Sequence, residues 1–329
     1  MVSRLQFARS SLTEDPLGLF DGKVAIVTGA GRGIGRAHAL LLASQGAAVV
    51  VNDFGGGMAG EGSTSEGNDV TPAQQVCDEI IAAGGQAVAN GASVSNWSAA
   101  EAMIQQAVDT FGGLDILINN AGILRDRMSF SMSEQEWDAV IDVHLKGHFA
   151  PSRFAAAYWR NQFKATNQPV NAKIVNTASE SGLYGNAGQT NYAAAKAGIG
   201  SMTIVMAREL ERLGVRVNAI APVARTRLTE ATPGAAEYMS KKDGQADLFA
   251  PENISAVAAW LASDLSEGVT GQIVKVMGGI VQVLRGWRPA TESTDEQEWT
   301  IESIDRVAKN LFATQPKGVP PFLPNIGDK

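Results

Sequence analysis

Residues 23–35 read KVAIVTGAGRGIG, and this stretch decides the fold. The run KVAIVT is short, apolar and β-branched, which predicts a strand. Gly29, Gly31, Gly33 and Gly35 follow it, and the helical pattern RAHALLLASQG comes next. A strand, a glycine turn and a helix in this order indicate dinucleotide binding. The backbone of such a turn lies close to a pyrophosphate, and the helix N-terminus supplies free N–H groups.

The next predicted strand, AAVVVND, ends in Asp53. An acid about 20 residues after the glycine turn is what a dinucleotide site needs, because its carboxylate binds the ribose hydroxyls of NAD. The same carboxylate would repel the additional phosphate of NADP. Arg32 favours NADP instead, since its guanidinium could bind that phosphate. Asp53 could also be an ordinary turn residue at the end of the strand. We predict NAD.

Strand and helix patterns alternate from residue 23 to 276 without a linker. Predicted strands cover 23–28, 47–52, 86–90, 114–119, 172–178, 215–220 and 271–276. Predicted helices cover 34–45, 71–84, 97–111, 133–163, 190–213 and 251–263. This alternation predicts the α/β class: a single doubly wound Rossmann domain, with a seven-stranded, mostly parallel sheet and helices on both faces.

The predicted domain spans 21–280, after an N-terminal arm at 1–20 and before a C-terminal extension at 281–329. The extension contains a predicted helix near 300–311. Within the domain, 54–70 is a glycine-rich loop. The segment 224–250 is either a mobile lid over the substrate or an ordinary surface connection.

A second motif, TASESGLYGNAGQTNYAAAK, contains Ser179, Tyr192 and Lys196. Tyr192 and Lys196 are four residues apart in a predicted helix, so their side chains share one face. An ammonium group beside a phenol favours the phenolate and lowers the pKa of the tyrosine, which suits acid–base chemistry. Ser179, just after the strand KIVNTA, could hold the oxygen of a carbonyl or alcohol. Alone, a tyrosine four residues before a lysine is most often a surface pair.

Composition excludes several classes of protein. The net charge of −7 gives no general attraction to nucleic acid or anionic membranes. The single cysteine, Cys77, excludes an internal disulfide and fits a reducing compartment. No apolar run is long enough for a membrane span, the first 20 residues do not resemble a signal peptide, and the three histidines lack metal-site spacing. We expect a cytoplasmic protein without a metal.

The motifs TGAGRGIG (28–35), NNAG (119–122), Ser179 and the Tyr192–Lys196 pair occur in an order and spacing that resemble the short-chain dehydrogenase/reductase family over roughly residues 20–280. The resemblance implies a homodimer or homotetramer, and implies that Lys196 holds the nicotinamide ribose. Asn119 and Asn120 could instead only tie neighbouring strands together. The implied cofactor residues are Gly29, Gly31, Arg32, Gly33, Ile34, Gly35, Asp53, Ser93, Val94, Asn120, Ala121, Gly122, Tyr192, Lys196, Val223 and Thr226.

Four stretches, VVVNDFGGG, NNAGILRDRMSF, WDAVIDVHLKGHF and GLYGNAGQTNYAAAK, resemble more particularly the dehydrogenase portion of peroxisomal multifunctional enzyme type 2 and its stand-alone bacterial relatives. This resemblance implies NAD-dependent oxidation of a (3R)-hydroxyacyl-CoA to the 3-ketoacyl-CoA. The alternatives are a 17β-hydroxysteroid or other secondary alcohol as substrate, or a cofactor-binding regulator without turnover. Since the chain has no room for the additional modules of that enzyme and does not end in a peroxisomal signal, we expect a stand-alone relative.

Two positions depart from the wider family. His144 stands where most members have an asparagine that holds a water in a proton relay; it could replace that residue through its ring or its backbone carbonyl, or simply pack in the core. Ala92 stands where many members have an aspartate for the adenine, so Ser93 or the backbone must substitute. A CoA substrate also needs basic residues at the mouth of the site. The candidates, each otherwise a solvated surface charge, are Arg125, Arg127, Arg225, Arg227, Lys241 and Lys242.

Overall fold

The computed structural model describes residues 18–57, 71–226, 229, 237, 239–241, 244, 246–286, 289–295 and 298–314. Most of the predicted arm, most of the glycine-rich loop 54–70 and much of the segment 224–250 lie outside the described residues. The predicted boundaries of the arm, the domain and the extension therefore stay predictions.

The chain alternates strands and helices as the sequence predicts. The strands are β1 Val24–Thr28, β2 Ala48–Asn52, β3 Gln86–Asn90, β4 Ile116–Asn119, β5 Ala172–Thr177, β6 Val215–Val223, β7 Ile273–Met277 and β8 Ile280–Leu284. The helices are α1 Gly33–Ser44, α2 Pro72–Ala82, α3 Trp97–Phe111, α4 Glu134–Ile141, α5 Gly147–Thr166, α6 Ser181–Tyr184, α7 Thr190–Leu210, α8 Pro251–Ala262 and α9 Ile301–Leu311. The helix predicted near 300–311 is thus present.

The strands form one sheet in the order β3-β2-β1-β4-β5-β6-β7-β8. The strands β1 to β7 pair in parallel, and β8 pairs antiparallel with β7. The predicted doubly wound, mostly parallel sheet is confirmed, but the predicted number of seven strands is one too few. Strand order reverses between β1 and β4, which is where ligands bind in such sheets.

Helices cover both faces of the sheet. On one face, α1 and α2 bury Leu42 and Ile80 against β1 and β2, and α8 buries Leu261 against β5, β6 and β7. On the other face, α3, α5 and α7 bury side chains such as Met103 and Trp159 against β1, β2, β4 and β5. Every residue of β1, β2, β4, β5 and β7 is buried. Strands covered on both sides read as continuous apolar runs, which is why the sequence revealed them.

The helix predicted over 133–163 is interrupted in the structure. A π-helical turn at Asp142–Lys146 separates α4 from α5. Pro151 lies in the following turn and has no N–H to donate to the carbonyl four residues earlier, so the regular ladder is weakened here. Turns of this kind occur frequently at functional sites, and this one carries His144. No helix among the described residues is long and apolar enough to cross a membrane.

Candidate active site

The structure brings Ser179, Tyr192 and Lys196 together at the carboxyl end of β5. Ser179 follows the last residue of that strand by two positions, and the other two residues lie in the first turns of α7. The Ser179 hydroxyl is hydrogen-bonded to the Tyr192 phenol. The ammonium nitrogen of Lys196 lies 5.4 Å from the centre of the Tyr192 ring. A hydroxyl, a phenol and an amine thus converge beside the switch point of the sheet.

The pKa of Tyr192 shifts in the direction opposite to the one that the sequence predicts. Burial raises the pKa of Tyr192 to about 12, and the Ser179 hydrogen bond only partly offsets this effect. Burial also lowers the pKa of Lys196 to about 7. In the protein alone, burial sets the direction of both shifts, and the lowering of the Tyr192 pKa by the Lys196 charge stays a prediction.

Lys196 is held from below by the backbone. Its Nζ donates a hydrogen bond to the carbonyl oxygen of Thr177 at 2.5 Å. The side chain is 3% exposed, so its amine cannot turn towards bulk water. The hydrogen bond to the last residue of β5 therefore holds the Lys196 amine next to the Tyr192 ring.

His144 packs against the other side of the tyrosine. The two rings meet edge to face with their centres 5.1 Å apart. The Nε2 atom of His144 lies 3.1 Å from the backbone nitrogen and 2.8 Å from the carbonyl oxygen of Ile123. Burial and the Lys196 charge lower the pKa of His144 to about 3, so the ring is neutral. Its Nδ1 is buried without a partner among the described residues, so the ring is packed and still offers one polar atom to a water.

The glycine turn is shaped for close backbone packing. Gly35 lies so close to Gly29 that a Cβ would approach the Gly29 carbonyl oxygen to 2.1 Å. Gly29 and Gly33 have φ values of +61° and +56°, which other residues rarely adopt. A Cβ on Gly33 would instead meet nothing nearer than the Thr226 methyl at 3.6 Å. The turn is thus tightly packed where Gly35 meets Gly29, and it borders open space at Gly33.

Helix α1 begins in this opening with its N–H groups available. Its N-cap residue, Arg32, makes no side-chain cap hydrogen bond, and the first turn holds no acidic residue. The positive end of the helix dipole therefore faces the open space above Gly33. This arrangement fits a cofactor pyrophosphate.

Asp53 stands at the end of β2 beside the turn. One carboxylate oxygen accepts a hydrogen bond from the Gly31 N–H at 2.9 Å, and the other accepts one from the Gly55 N–H at 2.8 Å. Asp53 thus stabilises the turn by hydrogen bonds, as the interpretation of it as a turn residue requires, and it also borders a cleft. A cleft of about 480 Å³ opens at this point. It is lined by Gly29, Arg32, Gly33, Ile34, Gly35, Asn52, Asp53, Phe54, Gly56, Gly57, Ala92, Ser93, Val94, Asn120, Ala121, Gly122, Ile123, Val143 and Thr226.

Comparisons with known proteins agree with this geometry. Residues 23–236 match the family described as short chain dehydrogenase. The chain belongs to the short-chain dehydrogenase family. It is therefore an oxidoreductase that acts on a CH–OH group, with a fold that binds NAD or NADP.

Several characterised relatives of this short-chain dehydrogenase carry dehydrogenase names. The hydroxyacyl-CoA dehydrogenase ChsB1 of Mycobacterium tuberculosis is 44% identical over 300 residues, which cover 89% of each chain. The peroxisomal multifunctional enzyme type 2 of Drosophila melanogaster is 39% identical over 89% of this chain and 45% of its own length. A solved structure of a short chain dehydrogenase from Mycobacterium avium superimposes with a TM-score of 0.80, is 49% identical, and covers 92% of this chain and 99% of its own.

Most cofactor residues predicted for this dehydrogenase lie on the cleft, but four do not. Gly31 lies behind the turn against Asp53 and Pro72, and Val223 ends β6 outside the cleft lining. Tyr192 and Lys196 are also absent from that lining. The sequence prediction missed seven lining residues, and the Phe54–Gly57 part of these follows Asp53 directly and could have been found. The missed residues are Asn52, Phe54, Gly56, Gly57, Ala92, Ile123 and Val143.

The two asparagines of NNAG have different tasks in this dehydrogenase. Asn119 is fully buried, and its amide donates to Ser152 and Asn176, so it ties β4 to its neighbours. Asn120 donates to the Gly29 carbonyl oxygen at 3.1 Å and also lines the cleft. Asn119 therefore only ties neighbouring elements together, whereas Asn120 holds the glycine turn and borders the cofactor site. Thr28, which the sequence prediction missed, accepts from the Asn120 and Ala121 N–H groups.

The predicted adenine side of the dehydrogenase is built by the backbone. The Asn52 amide donates to the Ala92 carbonyl oxygen at 2.9 Å and so holds the segment after β3. Ala92 and Ser93 both line the cleft, and the Ser93 hydroxyl lies 3.1 Å from that of Ser95. Ser93 is thus in the place where the sequence predicts a substitute for the missing aspartate.

Two of the basic residues predicted to bind a CoA substrate are already paired with acidic residues. Arg127 pairs with Glu136, and Arg225 pairs with Asp247 in a half-buried ion pair. Arg225 also donates to the Met239 carbonyl oxygen, so it braces the segment after β6. Lys241 is exposed, while Arg227 and Lys242 lie outside the described residues. Among the described residues, no group of three His, Cys, Asp or Glu side chains could hold a metal ion.

Proposed function

We propose that this chain oxidises a (3R)-hydroxyacyl-CoA to the corresponding 3-ketoacyl-CoA with NAD, and that Tyr192 is the general base. The observation that carries the proposal is the convergence of Ser179, Tyr192 and Lys196 at the carboxyl end of β5. The similarity to hydroxyacyl-CoA dehydrogenase ChsB1 over 89% of both chains supports the substrate class. The identities to peroxisomal multifunctional enzymes support it as well.

The chain's own residues have the following roles. The Ser179 and Tyr192 hydroxyls bind the substrate hydroxyl and place its proton next to the phenol oxygen. Tyr192 removes this proton as the carbonyl forms. A nicotinamide cofactor held by the glycine turn would supply the acceptor for the hydride, with its two electrons, that the substrate carbon loses. Positioned general-base catalysis of this kind contributes about 10² to 10⁴ in rate.

Tyr192 works as a base only if its pKa falls from about 12. Lys196 supplies a positive charge for this purpose when its amine is protonated, and the Thr177 carbonyl keeps that amine below the ring. Because burial lowers the pKa of Lys196 to about 7, its charge is present in part near neutral pH. Lys196 would also hold the nicotinamide ribose, and Thr226 the nicotinamide end.

The choice of NAD rests on Asp53. Its carboxylate borders the cleft at the end of β2, where the ribose nearest the adenine would bind, and a negative charge there disfavours a ribose phosphate. Arg32 also lines the cleft and is the residue that could reverse this preference. A lower KM for NADP than for NAD would contradict the proposal.

The reaction is tested by following NADH formation at 340 nm with (3R)- and (3S)-hydroxyacyl-CoA esters and a 17β-hydroxysteroid. We expect turnover of the (3R) ester and loss of at least ~10²-fold in the Tyr192→Phe variant, with NAD binding retained. The matched control is Tyr158→Phe, which removes a phenol oxygen bonded by Gln162 on α5. Near-normal turnover of Tyr192→Phe would exclude Tyr192 as the base, and turnover of the steroid alone would exclude the acyl-CoA.

A cytoplasmic location and a homodimer or homotetramer complete the proposal. The buried, single Cys77 fits a reducing compartment. The oligomeric state follows from family membership alone. Light scattering on the purified chain would test it directly.

A further inference from the structure

A chain of hydrogen bonds leads from Ser179 to a carboxylate in another segment. The Ser179 hydroxyl accepts from the Ser181 N–H at 3.2 Å. The Ser181 hydroxyl donates to the Gln189 side-chain oxygen at 3.0 Å, and the Gln189 amide donates to Asp126 at 2.8 Å. Ser181 and Gln189 are both buried. Asp126 therefore anchors the far end of a network that begins at the substrate-binding hydroxyl.

The backbone around Asp126 is clamped to the segment that leads into α7. The Arg127 N–H donates to the Gly188 carbonyl oxygen at 2.8 Å. The buried Asn191 side chain donates to the Arg125 carbonyl oxygen at 3.1 Å. Both residues that flank Asp126 are thus bonded to residues within four positions of Tyr192. The backbone that carries Asp126 is consequently tied to the backbone that carries Tyr192.

The charges around Tyr192 are few. Lys196 lies below its ring and His144 beside it, with His148 stacked behind His144. Both histidines are neutral, because burial lowers the pKa of each. Asp126 is the negative group whose charge acts on the phenol. Around Asp126 itself, Arg127 is already paired with Glu136, and Arg125 is in contact with the Gln135 carbonyl oxygen.

We propose that Asp126 is a positioning residue with two tasks: its hydrogen bond to Gln189 holds Ser179 in place, and its carboxylate, tied to the start of α7 by the bonds of Arg125 and Arg127, sets the electrostatic surroundings of Tyr192. The proposal rests on the proposed function, in which Ser179 and Tyr192 bind and deprotonate the substrate.

The charge effect has a definite sign. A negative charge disfavours the phenolate and so raises the pKa of Tyr192. Oxidation needs the phenolate, so its rate rises with pH, whereas ketone reduction needs the phenol and its rate falls with pH. Asp126 therefore moves both pH midpoints upward and favours the reductive direction at a given pH. A residue with a purely structural role would change the rates and leave the midpoints where they are.

Two substitutions separate the tasks. Asp126→Asn keeps an oxygen acceptor for Gln189 and removes the charge, so we expect both pH midpoints to shift down by ~0.5–1 unit with plateau rates near wild type. Asp126→Ala removes the acceptor as well, so we expect the same shift together with a loss of ~10-fold or more in kcat. The control is Glu134→Gln, which removes an exposed carboxylate in the first turn of α4 and should leave both midpoints unchanged.

Unchanged midpoints in Asp126→Asn would overturn the charge task, and equal plateau rates in the two variants would overturn the positioning task. The Tyr192→Phe variant is measured in parallel. If it loses turnover while Asp126→Asn shows wild-type midpoints, only the inference about Asp126 fails. If Tyr192→Phe keeps its turnover, the proposed function fails, and the role of Asp126 fails with it.

Discussion

At the scale of single residues, a tightly constrained contact of the site joins Gly122 to His144. A Cβ on Gly122 would lie 2.5 Å from the Cε1 atom of His144. The imidazole cannot move aside, because Ile123 holds its Nε2 and Tyr192 packs against its face. The absence of a side chain at residue 122 is therefore what allows the histidine to stand behind the tyrosine.

We predict that Gly122→Ala destabilises the protein by about 1–3 kcal/mol, as overpacking of a dense core does. It should also lower turnover, since His144 must push on Tyr192. Urea unfolding and NADH formation measure the two effects. Gly279→Ala is the matched control, because a Cβ there meets nothing within 4 Å. A wild-type free energy of unfolding for Gly122→Ala would show that the histidine can yield.

The sequence predicted which residues meet at the site better than it predicted their electrostatics. Spacing was sufficient to place Tyr192 and Lys196 on one face, and a strand end was sufficient to place Ser179 beside them. The effect of burial on the Tyr192 pKa was not predicted, because the depth of burial depends on the packing of several distant segments. For the same reason no local pattern pointed to Asp126, whose partner Gln189 is 63 positions away.

At the scale of elements, a buried ion pair links the loop after β5 to β7. Lys275 of β7 and Glu180 form a salt bridge, and their side chains are only 6% and 7% exposed. Glu180 directly follows Ser179, so the pair also fixes the start of α6. Removing one partner leaves a buried charge uncompensated, whereas removing both can be nearly neutral.

We predict that Glu180→Gln and Lys275→Met each cost about 3–5 kcal/mol of unfolding free energy. The double variant should cost clearly less than the sum of the two. The exposed Lys146–Asp142 pair offers the comparison, since Lys146→Met should cost only about 0–1 kcal/mol. Urea unfolding of the four variants gives the coupling, and strictly additive costs would show that the two charges do not stabilise each other.

Two features of the secondary structure were missed by the sequence prediction: the eighth strand and the π-helical turn. The eighth strand was within reach, because Gly278 and Gly279 separate two apolar runs, VKVM and IVQVL, as in a β-hairpin. The π-helical turn was not predicted, because the local spacing of apolar residues alone does not determine it. It depends instead on the tertiary contacts of His144 with Ile123 and Gly122.

At the scale of the whole molecule, three buried neutral histidines make stability depend on pH. Burial lowers the pKa of His38 and His144 to about 3, and the pKa of His148 falls well below its usual value. An unfolded histidine takes up a proton near pH 6.5. Between pH 6.5 and 3 the unfolded chain therefore binds more protons than the folded one, and stability falls as the pH falls through this range.

We predict a loss of about 1 kcal/mol per buried histidine between pH 6.5 and 5.5. The raised pKa of Asp126 acts in the opposite direction, at the lower pH where that carboxyl takes up its proton. Urea unfolding at several pH values measures the slope. The His38→Gln variant, which keeps a polar partner for Ser255, should lose about 1 kcal/mol less than wild type over the same interval. An identical slope in both proteins would mean that His38 is protonated in the folded state.

The sheet order also has a consequence for the chain during its synthesis. Ala25 on β1 pairs with Ile116 on β4, about 90 residues later. At roughly 5–20 residues per second, a ribosome needs about 5–20 s to add those residues. For this interval the apolar β1 strand has a neighbour on only one side. The edge that later becomes the cofactor site is thus an apolar surface that a chaperone could bind during synthesis.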